Sequence, residues 1–316
     1  VENWGELKCG DWNHWSQFKD FMATPGHTLK EYEQLIDVTE FINYEVLEMF
    51  YNNVDWPGNN IVWWRPIDES TGYKPLWRVL AKDMDYAFGI YGMKADYDIF
   101  EFLYNNNYDP EHNWANRPEH TAFFRYAMQD KDYQNLFINK ALVYLGDFLR
   151  YDRVVPLLDA SVDVIQPEYT KYHRPIYNQW WPNYNDEYRI ALNWLRSRHE
   201  NFVEHMGRRY DQGAKGKVTI EFEDAENADV TINGVGLSEA YWDGYWFSNR
   251  EMDIQVTWAD GAQTQVKKTI QKTDFPLILK VTKTMSDLKA ERLKGGEADS
   301  PKYRKVWSEN GVKMVV

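Results

Sequence analysis

Cysteine is nearly missing from this chain. Cys9 stands alone in 316 residues, which excludes an internal disulfide and any metal site built from several thiolates. Positive charge is also in short supply. Lys and Arg number 36 against 49 Asp and Glu, a formal net charge of −13. Nucleic acid and anionic membrane surfaces require clustered cations, so this balance argues against both as partners. No apolar run approaches the roughly eighteen residues of a membrane-spanning helix. The sequence contains no P-loop, no Gly-x-Ser-x-Gly nucleophile turn and no HExxH zinc signature. His112, His120, His173, His199 and His205 fall into no metal-ligand pattern and read as surface or core residues. No basic, apolar leader stands before Val1.

Aromatic residues, in contrast, are abundant: 15 Trp and 22 Tyr. Most recur at helical spacing and read as core anchors. Trp180-Trp181 and the cluster Tyr241-Trp242-Asp243-Gly244-Tyr245-Trp246-Phe247 are exceptions, where exposed rings would suit sugar stacking. Asp11 precedes an apolar repeat of Trp15, Phe18, Phe21 and Met22, and Thr28-Leu29-Lys30-Glu31 is a capping box. Asp37 begins a third helix, which carries Phe41, Tyr44, Leu47 and Met49 and must stop before Pro57 and Gly58. Ile61-Val62-Trp63-Trp64 and 76–80 read as the strands of a hairpin turning at 68–72. Residues 97–206 read as helices interrupted at Pro110, Pro118, Pro156, Pro167, Pro175 and Pro182.

Near Gly213 the pattern changes to period two. Segments 217–223, 228–232 and 252–258 alternate, with Asn233-Gly234 and Asp260-Gly261 as hairpin turns. The expected organisation is a helical domain over 1–213, a small antiparallel β-sandwich over 214–285 and a charged tail over 286–316, mobile or loosely docked.

The chemistry gathers around the hairpin. Asp55 is followed five positions on by Asn60, then by the hairpin, then by Asp83, Asp85 and Gly89. Protein kinases place a catalytic base, a metal-binding Asn and a metal-binding Asp in this order. Hard oxygen ligands of this kind suit Mg²⁺. Asn59 reads as the structural neighbour, holding the loop through side-chain to backbone bonds. Asp83 and Asp85 would share one side of an extended strand. Arg65 and Arg78 flank the site at strand ends, where arginine is usually solvated.

The run Asn52-Asn53-Val54-Asp55-Trp56-Pro57-Gly58-Asn59-Asn60, followed by Trp77-Arg78-Val79-Leu80-Ala81-Lys82-Asp83-Met84-Asp85-Tyr86-Ala87-Phe88-Gly89, resembles the spore-coat-protein-H (CotH) kinase family. That family carries N-x-D-W-P-x-N-N and then W-R-hydrophobic-x-x-x-D-x-D-x-x-F-G. The likeness continues through 132–137 and 154–159 to 194–198 and covers roughly residues 1–210. It implies an α+β fold: a mostly helical, atypical kinase-like C-terminal lobe with the hairpin at its active site, followed by the β module. It also implies ATP and Mg²⁺ or Mn²⁺ as cofactors, Ser or Thr of a protein as acceptor, and a secreted or cell-surface location with the signal peptide lost by truncation. In that reading Asp55 is the base, and Asn60, Asp83 and Asp85 hold metal and nucleotide. Gly89 is a backbone hinge over Phe88.

One departure matters. Upstream of Asp55, Lys8, Lys19 and Lys30 have no glycine-rich strand context, so the nucleotide-clamping N-terminal lobe is expected to be missing and the chain inactive alone. The competing reading is a surface adhesion or carbohydrate-binding protein on an inactive kinase-like scaffold, with a glycan bound by the β module. A glycoside hydrolase pairing Asp55 with Asp83 or Asp85 ranks last.

Overall fold

Local capping chemistry fixes the first three helices of this protein. Its computed structural model describes residues 1–67, 70, 72, 74–89, 92–169, 171 and 184–283, with 184–185 and the short stretches 290–292, 305–307 and 313–315 described by backbone alone. Helix α1 (Trp12–Met22) starts where the Asp11 carboxylate accepts from the backbone N–H groups of Asn13 and His14. Helix α2 (Leu29–Leu35) starts at Thr28, whose N–H donates to Glu31 Oε2 at 2.8 Å. Helix α3 (Val38–Phe50) starts at Asp37, which accepts from Glu40 N–H. All three begin where the sequence places them.

Strands β1 (Ile61–Trp64) and β2 (Arg78–Ala81) pair antiparallel, from Ile61 opposite Ala81 to Trp64 opposite Arg78. Asp68, Glu69 and Thr71 of the expected turn lie outside the described residues. The inward faces of α1, α3 and the hairpin meet in an aromatic core. Phe18 stacks on Trp77 at 4.7 Å between ring centroids, and Phe41 touches Trp63 at 5.3 Å and Phe123 at 4.5 Å. Arg78 is buried there, paired with Asp37 and Glu40 at 3.2 Å each. It is therefore a structural cation rather than the solvated strand-end arginine its position suggested.

Helices α4 (Ile99–Tyr104), α5 (Pro118–Ala127), α6 (Lys131–Leu145), α7 (Tyr151–Glu168) and α8 (Tyr184–Arg209) follow. Pro118 opens α5, where a missing N–H removes no helical bond. Pro156 and Pro167, expected as interruptions, lie inside α7. The carbonyls they leave free belong to Asp152 and Asp163, residues half-buried and exposed respectively, so water can satisfy them. Pro175, Pro182 and the pair Trp180-Trp181 lie outside the described residues.

Two four-stranded sheets follow: β10-β9-β3-β6, and β5-β4-β7-β8. Their strands are β3 (Lys215–Phe222), β4 (Asp229–Ile232), β5 (Val235–Gly236), β6 (Tyr241–Phe247), β7 (Glu251–Thr257), β8 (Gln263–Thr269), β9 (Leu277–Val281) and β10 (Ala290–Arg292). A further pair, β11 (Lys305–Trp307) and β12 (Lys313–Val315), is antiparallel; the rest of the expected tail is outside the described residues. The module is not wholly antiparallel, because β3 and β9 run parallel from Val218 opposite Leu277 to Phe222 opposite Val281. A parallel pair needs a long crossover, and here the chain from β4 to β8 supplies it.

Residue 213 marks the change from helix to strand. Compactness divides the chain elsewhere, into Val1–Ala141 and Leu142–Val316. The reason lies at Trp242, whose indole N–H donates to Val143 O at 2.9 Å. Gly146 leaves the room for it, since a Cβ there would fall 2.2 Å from the ring. No helix among the described residues is long and apolar enough to cross a membrane.

Candidate active site

The site is built where α3 ends. The chain leaves the helix through Asn52, at φ +53°, a left-handed conformation that asparagine tolerates. Asn53 then folds back: its backbone N–H donates to Glu48 O at 3.0 Å and its side-chain Nδ2 to Glu48 Oε2 at 2.8 Å. Its Oδ1 accepts from the N–H of Asp55 at 3.1 Å, an Asx turn. The next residues wrap around the Asp55 carboxylate. Asn59 N–H donates to Asp55 O at 2.9 Å, and the side-chain amides of Asn59 and Asn60 both donate to Asp55 Oδ2, at 2.8 and 2.5 Å. Asn59 thus holds the loop through the aspartate side chain, rather than through backbone as expected. Gly58 is required by space: a Cβ there would lie 2.5 Å from Ala115 O and 2.7 Å from His120 Nδ1.

The hairpin register brings in the later aspartates. Ile61 opposite Ala81 puts Asn60 beside the start of the 82–85 segment, and Asn60 Nδ2 reaches Asp83 O at 3.2 Å. Tyr86 O accepts from Val54 N–H at 3.3 Å, and Phe88 N–H donates to Tyr51 O at 2.9 Å, so the chain is tied to the loop again beyond Asp85. Phe88 stacks on Tyr51 at 4.5 Å. Asp83 and Asp85 do not continue the strand. Strand β2 ends at Ala81, Asp83 adopts φ +53° and Asp85 sits in a turn. The bond that Asn60 makes to Asp83 O takes up the carbonyl a strand would have used. Both aspartates are exposed.

Asp55 is buried. Burial is the largest influence on its carboxyl and raises its pKa; the Asn59 bond opposes this, the charges of Asp85 and Asp83 raise it further, and the Asn60 bond lowers it. The field of Asp83 and Asp85 at Asp55 is the electrostatic sign that the three carboxylates share one neighbourhood. Such a group of like charges favours a bound cation. Among the described residues, no three His, Cys, Asp or Glu are grouped to hold a metal ion. By donor type alone, two carboxylates and an asparagine Oδ1 are what Mg²⁺ or Mn²⁺ takes, since such an ion commonly uses only one or two carboxylates and completes its shell with water and substrate phosphates.

Sequence reasoning missed two acids. Glu45 and Glu48 are buried on α3. Burial pushes the Glu48 carboxyl up to about 7 and raises that of Glu45 well above its usual value. Tyr133 Oη donates to Glu45 Oε2 at 3.2 Å. A signal for Glu45 was present: it falls on the stripe Val38, Phe41, Ile42, Val46, Met49, where every other residue is apolar.

The aromatic cluster 241–247 offers no row of exposed rings. Trp242 and Trp246 are fully buried, while Tyr241 and Tyr245 are half-buried with Arg150 and Lys217 over their rings at 4.6 and 4.4 Å. The alternation of β6 sends the tryptophans into the core.

A family model described as CotH kinase protein matches residues 4–202. No curated protein and no solved structure matches the chain.

Proposed function

The chain belongs to the CotH kinase protein family, and on that premise we propose that its site transfers the γ-phosphoryl group of ATP to a Ser or Thr hydroxyl of a protein. The observation that carries this reading is the clasp on Asp55, where two asparagine amides hold Oδ2 and leave Oδ1 as the oxygen neither engages. The acceptor hydroxyl gives its proton to Asp55 Oδ1 as its oxygen bonds to the γ-phosphorus and ADP departs. A pKa raised by burial and by Asp85 and Asp83 suits a group that must take up a proton during the reaction. Asp83, Asp85 and Asn60 Oδ1 would hold a divalent cation arriving with the nucleotide, whose chemistry is to neutralise phosphate charge. Clamping of the phosphates falls to groups outside this cluster. A secreted or surface location is part of the same proposal, checked by fractionating the native cells.

The test is transfer from γ-labelled ATP with Mg²⁺ or Mn²⁺. Asp55→Ala should remove transfer and keep nucleotide binding. Replacing Asp83 and Asp85 together should remove metal-dependent nucleotide binding. An active Asp55→Ala protein ends the assignment of the base. The adhesion reading drew on the aromatic cluster 241–247 as exposed rings, and the burial of Trp242 and Trp246 leaves it only the half-buried Tyr241 and Tyr245.

A further inference from the structure

Glu48 is a costly residue where it stands. It is buried on the last full turn of α3, and Oε1 has no hydrogen-bond partner. The Tyr44 hydroxyl lies beside it and beside the Trp56 indole, completing a hydrogen bond to neither. A buried carboxyl with one oxygen unsatisfied is destabilising, and a leucine would pack there without that penalty. Its one strong bond leads to the catalytic loop. Oε2 accepts from Asn53 Nδ2, and Asn53 Oδ1 accepts from Asp55 N–H.

We propose that Glu48 is a positioning residue that fixes the backbone of Asp55 by setting the orientation of the Asn53 amide. An asparagine amide has a donor end and an acceptor end of nearly the same shape. Only an acceptor at position 48 makes the donor end turn inward and presents the acceptor end to Asp55 N–H. Without it the amide is free to rotate and set its own N–H groups against that of Asp55, which repel. The strut holds in either charge state of Glu48, because Oε2 accepts whether or not Oε1 carries a proton. This inference rests on Asp55 being the base, but the strut itself can be measured without any phosphoryl transfer.

Amide hydrogen exchange at Asp55 and Asn53, followed by NMR in the full chain, reads the strut directly. Glu48→Leu should speed exchange at Asp55 by about tenfold, the equivalent of about 1.4 kcal/mol for a lost hydrogen bond, while helix α1 keeps its protection. Glu48→Gln retains an acceptor and should keep the wild-type rate. Asn53→Ala should match Glu48→Leu, and the double variant should add nothing further. In the active form, Glu48→Leu should lower kcat and leave the KM for ATP near its original value. Unchanged exchange in a folded Glu48→Leu protein would overturn the proposal. So would a Glu48→Gln protein that exchanges as fast as Asn53→Ala, a comparison that stands even where the leucine variant fails to fold. A protein whose exchange follows this pattern but which transfers no phosphate keeps the strut and loses the kinase reading.

Discussion

The loop after α3 and the strands of the β module bury polar groups on opposite terms. In the first unit, Glu45 and Glu48 each keep an oxygen with no partner, and the Trp56 indole N–H and Tyr44 hydroxyl are likewise unsatisfied. In the β module the buried indoles are matched: Trp242 donates to Val143 O at 2.9 Å, Trp246 to Arg250 O at 3.3 Å and Trp258 to Thr264 Oγ1 at 2.9 Å. Unsatisfied buried groups are rare and tend to mark functional regions. The module shows agreement between strand alternation, packing and hydrogen bonding, the mark of a segment shaped for stability. The comparison separates a part of the molecule that leaves buried polar groups unsatisfied from a part that satisfies them.

A pair of substitutions should break that contrast in opposite directions. Asp55→Ala should lower phosphoryl transfer by about 10²–10⁴-fold and leave the unfolding midpoint close to wild type. Trp242→Ala should destabilise the second unit by about 3–5 kcal/mol, read by chemical denaturation, since it empties the space beside Gly146. A large stability loss from Asp55→Ala would show that the loop is structural first.

The pH response should sharpen the same contrast. Burial raises Glu48 from 4.5 to about 7, so the folded state keeps a proton that the unfolded chain has released. Its contribution to stability is full below pH 4.5 and is lost as the pH rises through about 7. His199 runs the other way. Burial lowers it from 6.5 to about 4, so its contribution is full above pH 6.5 and fades as the pH falls toward 4. Hydrogen exchange measured across pH 4–8 should therefore show α3 loosening at the upper end and α8 at the lower. Glu48→Gln should flatten the upper limb and leave the lower one unchanged.

The smallest effect is expected at the first helix. Asp11→Ala removes the two N-cap bonds of α1 and should cost about 1 kcal/mol, seen as local fraying with transfer unchanged. A loss of activity there would mean that the first helix communicates with the site.

Much of the site was legible because its parts lie close in sequence. Asp55 and its clasp span six residues, and the bonds that shape them join neighbours. The part played by Asn53 was harder to see, since one amide serves two partners on different elements. Continued alternation would keep Asp83 on the strand. Instead β2 ends at Ala81, and the side chain of Asn60 takes the carbonyl of Asp83.

Capping at Asp11, Thr28 and Asp37, the β1 strand and the period-two pattern after residue 213 were determined by the sequence itself, because each depends on contacts within a few residues. The burial of Glu45 and Glu48, the parallel pairing of β3 with β9 and the seating of Trp242 on Gly146 were decided by tertiary structure alone. Whether an acid is desolvated, which edge a strand joins and whether a glycine receives a ring all depend on segments far apart in the chain. Local periodicity records which face a residue turns, and packing determines what waits on that face.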